Sequence, residues 1–408
     1  MNILMIWETR PSPYTGLGLV GLNVLKHLST RHAIRLVCLD GDPDVTRQYP
    51  GLESYCTKVN AIAMPEYMSH RNQLITTARS SISPRKLLSE YRSFLTPLYS
   101  PVMAAAIKAA YRDEKYDVVY ASSHFAFYAW KFSSRKVVHA FECVSAACQK
   151  EFALARNVRT RAYWMLAYLK NRWMERQVFP KFDNCIVVSN EEYKAFSALL
   201  PDVRYSVIPI GVDTEFFKPT PSREEEWPSL VFVGYMSHSP NVTAIEWFHS
   251  RVYDTLKKRF PDLKLFIVGQ NPTEPIRSLA HDPSIVVTGF VDDVRPYVAR
   301  ASVSVAPFIS GSGSKTKVLE AMAMGKSVVA TSIGVRGINA TDGDHLCVAD
   351  SPAAFAERVQ ELLRDEEKRH RMGHRAREFV QERRSWARVT QDIDKVLSNS
   401  EISVRGDA

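Results

Sequence analysis

One stretch of this chain limits its fold more than any other. An apolar strand-like run, Val303–Ala306, continues through Pro307 and Phe308 into Ser310-Gly311-Ser312-Gly313-Ser314-Lys315-Thr316-Lys317-Val318-Leu319-Glu320-Ala321-Met322-Ala323-Met324-Gly325. A second apolar run, Val328–Thr331, follows at once. Strand, small flexible loop, helix of strong formers, strand is the pattern of a parallel α/β unit. Glycine and serine at a helix start leave backbone N–H groups open, and the helix dipole adds partial positive charge there, so the position suits a phosphate. Lys315 and Lys317 add full charge, and Glu320 sits one turn further in, placed to accept from sugar hydroxyls. A diphosphate joined to a ribose fits that arrangement.

Two further stretches stand in the same order on the N-terminal side: Val187-Val188-Ser189-Asn190-Glu191-Glu192, then Val207-Ile208-Pro209-Ile210-Gly211-Val212-Asp213-Thr214-Glu215-Phe216-Phe217-Lys218-Pro219. With the Ser310–Gly325 segment they resemble glycosyltransferase family 4, whose members are retaining enzymes of the GT-B fold. The resemblance covers the C-terminal half well and the N-terminal half by pattern. It implies two facing Rossmann-like domains with a cleft between them, a nucleotide-diphosphate sugar as donor, a hydroxyl acceptor, and no metal or other cofactor. The donor-binding residues it implies are Gly311, Ser312, Gly313, Ser314, Lys315, Thr316 and Glu320, with Tyr235 or His238 lining the cleft. The backbone around Val291, in Gly289-Phe290-Val291-Asp292-Asp293, would hold the base. The common family form has two glutamates eight positions apart. Glu320 matches the second, but Ser312 stands where the first belongs, as in a glycine-rich branch that carries basic residues. The resemblance further implies a sugar-contacting histidine near a strand end, for which His139 and His124 are both candidates, and gives the catalytic charge to Lys315 and Lys317.

Other readings compete. Gly16-Leu17-Gly18-Leu19-Val20-Gly21 is a literal dinucleotide fingerprint with Asp40 at the end of the next strand, which would suit an NAD(P)-dependent oxidoreductase. Glu8 to Thr15, with Pro11 and Pro13, put too long a loop between strand and glycines; the longer loop resembles the glycosyltransferase family's glycine-containing loop after the first strand, which implies that Gly16, Leu17, Gly18 and, from another loop, Glu142 border the acceptor. Gly313-Ser314-Lys315-Thr316 mimics the end of a P-loop, but Ser314 occupies the place of the glycine that must precede the lysine, which removes an ATPase. A non-catalytic nucleotide-sugar binder stays open because of Ser312. Asp292 and Asp293 invite a metal, yet they precede a helix and serve as N-terminal charges. Asn241 reads as a helix cap.

At 408 residues the chain is long enough for two domains. Alternating apolar and helical patterns put one domain at 1–205, a second at 206–384, a helix at 385–398 and a frayed tail at 399–408; the resemblance implies that the first domain takes the acceptor, that the second takes the donor and that the helix crosses back to the first. Arg223-Glu224-Glu225-Glu226-Trp227-Pro228 reads as a polar linker. The six cysteines have no paired spacing, so neither zinc nor a disulfide framework is expected, and a reducing cytoplasm is the simplest compartment. The apolar start, Met1–Trp7, reads as a strand and not as a signal peptide, and no run is long enough to span a membrane.

The net charge of +9 is uneven. Residues 1–205 hold 27 Lys and Arg against 17 Asp and Glu, +10, which leaves −1 for 206–408. Excess positive charge on the acceptor half calls for an acidic partner. A lipid-linked glycan or the anionic inner face of a membrane is expected, and nucleic acid is not. Basic and apolar residues mix in Arg156–Leu166, at the start of the long helical pattern Val158–Phe179, and in Arg79–Arg92; such segments suit either an anionic membrane surface or a core-packed helix with a solvated face.

Overall fold

The computed structural model describes every residue except 14–15, 41–48, 50, 65–98, 156, 221–224, 312–315 and 400–408. Expectations that fall on Arg79–Arg92 and on the tail therefore lie outside the described residues. The chain divides into two compact units, one of Met1–Ile208 with the residues from Thr390 onward, the other of Pro209–Val389.

The first unit is built on seven parallel strands: β1 (Asn2–Trp7), β2 (Ala33–Asp40), β3 (Lys58–Ala63), β4 (Val118–Ser122), β5 (Arg135–Ala140), β6 (Asn184–Val187) and β7 (Tyr205–Val207). Their order across the sheet is β3-β2-β1-β4-β5-β6-β7. The central strands are buried almost end to end, as a sheet covered on both faces requires. Helices α1 (Gly16–Leu28), α2 (Pro101–Asp113), α3 (Val144–Leu154), α4 (Val158–Val178) and α5 (Asn190–Leu199) connect them. Helix α1 starts at Gly16, so Gly16 and Gly18 lie in its first turn. Gly21 must lack a side chain, because a Cβ there would lie 2.5 Å from the Trp7 indole nitrogen.

The second unit repeats the topology with six parallel strands: β8 (Glu226–Val233), β9 (Lys264–Val268), β10 (Ile285–Val287), β11 (Ala301–Ala306), β12 (Val328–Ala330) and β13 (Cys347–Val348), ordered β10-β9-β8-β11-β12-β13. Its helices are α6 (Ser239–Phe248), α7 (Asp254–Arg259), α8 (Glu274–Ser278), α9 (Arg295–Arg300), α10 (Thr316–Ala323), α11 (Pro352–Arg364) and α12 (Glu366–Arg383). One expectation needs correcting. The acidic run read as a linker opens β8: Glu226 accepts from Lys264 and Arg300, Glu225 from Arg369 at 2.7 Å, and Trp227 donates its indole N–H to Leu363 O at 2.9 Å. Basic residues distant in sequence neutralise the carboxylates and let the strand form.

The last helix, α13 (Trp386–Leu397), straddles the division between the units. Trp386 N donates to Val212 O, and Val212 N to Arg384 O at 2.8 Å. Further along, Asp394 accepts from His32 at 2.7 Å, and Arg135 reaches Val396 O at 2.9 Å.

Candidate functional site

In each sheet the strand order reverses between two neighbours, β1/β4 in the first and β8/β11 in the second. Ligands of open parallel sheets bind beyond the carboxyl ends of the strands at such a point. The two switch points are filled differently.

In the second unit β8 runs into Gly234 and β11 into Pro307 and Phe308. Helix α10 starts at Thr316 after Gly311, whose φ of 106° lies in the left-handed region that glycine tolerates. Ser312, Gly313, Ser314 and Lys315, four of the expected phosphate-binding residues, lie outside the described residues. Lys317, in the first turn of α10, brings its ammonium to the end of β8. It donates to Asn241 Oδ1 at 2.7 Å and lies 5.1 and 5.6 Å from the ring centres of Phe308 and Phe232. A Cβ on Gly234 would sit 3.0 Å from both that nitrogen and the Asn241 amide, so glycine leaves room for the pair. Asn241 is the third residue of α6 and does not cap it; its amide bridges Lys317 and Tyr235 O, the latter at 2.8 Å. Sequence reasoning missed this partnership, because 76 positions separate the two residues.

Glu320 lies one turn beyond Lys317 on the same face. A small cavity lined by Phe217, Val233, Val305, Ala306 and Lys317 borders it. The side chain is half-buried, and no described residue hydrogen-bonds to its carboxyl group. Burial pushes the carboxyl up to about 7, against the pull of Lys317. A half-buried carboxylate with no hydrogen-bond partner among the described residues, beside a positioned ammonium, is what a bound polar ligand would satisfy.

Around this pair, Tyr235 is partly exposed and its hydroxyl accepts from Asn271 at 2.9 Å. Gly269 cannot carry a side chain, since a Cβ would overlap Gly234 O at 1.7 Å; the β8 and β9 loops touch there. Val291 packs on the core of this unit. Asp293 takes Arg295 in a two-pronged pair at 2.8 and 2.9 Å, and that guanidinium stacks 3.8 Å from the Phe216 ring centre. Asp293 is thereby occupied in holding α9. Among the described residues no group of three His, Cys, Asp or Glu is placed to hold a metal.

In the first unit aromatic rings fill the switch point. Trp7 at the end of β1 lies 5.8 Å from both Tyr120 and Phe141, and donates to Leu17 O at 3.1 Å. His139 lies inside β5, not after it. Its ring stacks 4.4 Å from Phe141, and Nδ1 shares a 2.6 Å hydrogen bond with the Tyr120 hydroxyl. Nε2 is buried with no partner among the described residues. Burial pushes the imidazole down to about 3, so the ring is neutral at working pH. His124 occupies a short helical turn directly after β4 and is also buried. Glu142 follows β5 and is half-buried. Gly16, Leu17 and Gly18 are the first turn of α1, where Gly18 O accepts from Ser12 N at 3.1 Å. Asp40, which a dinucleotide enzyme would offer to the ribose, is paired with Arg10 at 3.0 Å.

Residues 14–216 match the family described as Glycosyltransferase Family 4, and residues 227–365 the family described as Glycosyl transferases group 1. An uncharacterized 44.6 kDa protein in the cps region of Klebsiella pneumoniae is 23% identical over 297 residues, 69% of this chain and 74% of that protein. A phosphatidyl-myo-inositol mannosyltransferase of Mycolicibacterium smegmatis is 29% identical over 198 residues, 46% of this chain and 50% of that protein. Among solved structures, sucrose-phosphate synthase from Thermosynechococcus elongatus superposes with a TM-score of 0.67 at 17% identity, over 98% of each chain. Anabaena HepE in complex with UDP superposes with a TM-score of 0.67 at 16% identity, over 98% of this chain and 100% of that one.

Proposed function

The chain belongs to the family 4 glycosyltransferases of the GT-B fold, which move a sugar from a nucleotide-diphosphate donor to an acceptor, and from that premise we propose that it transfers its sugar with retention to a hydroxyl of a lipid-borne acceptor. The observation that carries the reading is the Lys317–Glu320 pair at the β8/β11 switch point. A donor bound there gives its ribose hydroxyls to the Glu320 carboxylate and its diphosphate to the α10 N-terminus and Lys317.

Departure of the diphosphate builds negative charge on the leaving oxygen. Donors already in place for that charge lower the barrier without reorganising. Lys317 is so placed: Asn241 fixes its ammonium, and two aromatic faces hold it against the sheet. Lys315 and the Gly313–Thr316 N–H groups would share the charge, with no metal required. In retaining transfer without a protein nucleophile, the acceptor attacks on the face the diphosphate leaves, and the departing phosphate oxygen takes the acceptor proton. His139 has spent Nδ1 on Tyr120 and its Nε2 is buried, which favours His124 over it for the proposed sugar contact.

The acceptor reading rests on charge and on one relative. The +10 excess lies in residues 1–205, outside the unit that carries Glu320. A soluble donor does not account for it. The Mycolicibacterium relative is named for an inositol phospholipid acceptor. No described helix is long and apolar enough to cross a membrane, so contact with a lipid-borne acceptor would be made from its surface.

Calorimetry against UDP-, GDP- and ADP-sugars and NAD tests the reading. One nucleotide-sugar class should bind, its sugar should be transferred or hydrolysed, and NAD should give no heat. Binding of NAD alone would replace the transferase with an oxidoreductase. Donor binding without any turnover would leave a binder.

A further inference from the structure

Helices α3 and α4 form an antiparallel hairpin: Arg161 lies 4.8 Å over the Phe152 ring at one end, Asn171 meets Cys148 midway, and Glu175 accepts from Ser145 N at 3.2 Å at the other. Ala167, Met174, Glu175 and Val178 are buried and mark the packed face of α4. The opposite face carries an unusual load for a protein surface. Val158 is 83% exposed, Leu169 52% and Trp173 59%, with Met165 and Leu166 above a third, and Leu154 at the end of α3 is 74% exposed. At about 100° per residue, Val158, Met165, Leu166, Leu169 and Trp173 fall within a single sector of about 100°. They form one stripe along the helix, not scattered surface residues.

Charge borders the stripe on both sides. Arg159 and Lys170 follow it on one flank, Arg161 and Arg172 on the other, and Arg176 lies at its far end. The acidic residue of α4 is Glu175, which is buried on the other face with its carboxylate engaged by Ser145. The exposed face of α4 thus combines large apolar side chains and an indole with basic residues and no carboxylate. A helix of that composition lies in the plane of a bilayer interface, apolar stripe toward the acyl chains and guanidinium groups at lipid phosphates.

We propose that the α3–α4 hairpin is the docking surface of this chain for an anionic lipid bilayer, with Trp173, Leu169 and Val158 inserted at the headgroup boundary. Charge complementarity selects the occupant. A second copy of the same face would oppose arginine to arginine, whereas anionic headgroups neutralise them. The purpose of the docking rests on the lipid-borne acceptor proposed above; the surface itself does not.

Sedimentation of the full chain with vesicles tests it. Vesicles of phosphatidylcholine with roughly one-third phosphatidylglycerol should carry the protein down at low salt, pure phosphatidylcholine should not, and salt should release it. The pairs Leu169→Glu with Trp173→Glu, and Arg159→Ala with Arg161→Ala, should each cut partitioning about tenfold or more. Thermal melting should be unchanged, because these side chains are exposed. Tryptophan emission should shift to the blue on anionic vesicles, and Trp173→Phe should remove most of that shift while still binding. Variants that sediment like the parent chain would overturn the proposal. So would a concentration-dependent dimer, broken by the same substitutions, in a chain that ignores vesicles. Nucleotide-sugar binding measured on these proteins without lipid separates the two readings. Vesicle binding lost through α4 in a chain that binds no donor would support the docking surface and remove the reaction.

Discussion

The two units share a strand order and differ at the place where that order matters most. Each sheet opens at the reversal between its first and fourth strands. In the second unit the opening holds an ammonium, a half-buried carboxylate and a helix start. In the first it holds Trp7, Tyr120, His139 and Phe141, packed ring against ring. The same topology therefore yields a polar opening in one half and an aromatic plug in the other. The bulk charge is divided the opposite way, with the excess of positive charge outside the second unit. Topology supplies the crevice, and a handful of side chains at the strand ends decides its chemistry.

The largest effect should come from the ammonium. Lys317→Ala should lower turnover by about 10²–10³, as loss of one preorganised donor does, and weaken binding of the nucleoside alone far less. Chelators should leave the parent enzyme active. A variant with full turnover would strip the second switch point of its charge role, and strict dependence on a divalent ion would move the leaving-group chemistry to a metal.

Glu320 should give the next effect, in affinity. Glu320→Gln replaces charge-assisted bonds to the ribose and should weaken donor binding by about 1–3 kcal/mol with the fold intact. The pH dependence is its sharper mark. The folded carboxyl titrates at about 7, above the roughly 4.3 of an exposed glutamate. Stability tied to its proton is complete below about 4.3 and is lost as pH rises through about 7. Ribose hydroxyls need the ionised form, so donor binding expels the proton. Affinity for a nucleotide-sugar should climb with pH, by at most about tenfold per unit, and level off above about 7. Both phosphates of that ligand are esterified and do not titrate there. A flat profile in the parent chain, or an unchanged slope in Glu320→Gln, would show that the carboxylate does not meet the ligand.

Much of this was legible in the chain itself, for a physical reason. Buried parallel strands are written as local apolar runs, so Asn2–Trp7, Val303–Ala306 and Val328–Thr331 announce the sheets, and the Gly311–Thr316 loop announces a helix start. What stayed hidden depends on partners distant in sequence. Asn241 reads as a cap until the fold brings Lys317 to it. Glu225 and Glu226 read as solvated linker until Arg369, Lys264 and Arg300 close on them. The exposed stripe of α4 stays open between a core-packed face and a membrane-facing one, because sequence periodicity shows an apolar face without showing what covers it. The three-residue strand β7 and the half-exposed edge strand β3 carry too few apolar positions to stand out.

The smallest effect belongs to the aromatic plug, and it tests whether the two switch points differ in kind. His139→Phe keeps a ring in the stack but leaves the Tyr120 hydroxyl in a fully buried place without its 2.6 Å partner. An unpaired buried hydroxyl costs about 1–3 kcal/mol, which should appear as a lower melting temperature. Donor affinity should not move, since the nucleotide site proposed above lies in the other unit. Turnover of the folded fraction should also hold, because the assigned sugar contact is His124, and His124→Ala should lower it. The pairing of stability loss with intact turnover marks a packing residue. Turnover lost at unchanged stability would give the sugar contact to His139 in place of His124.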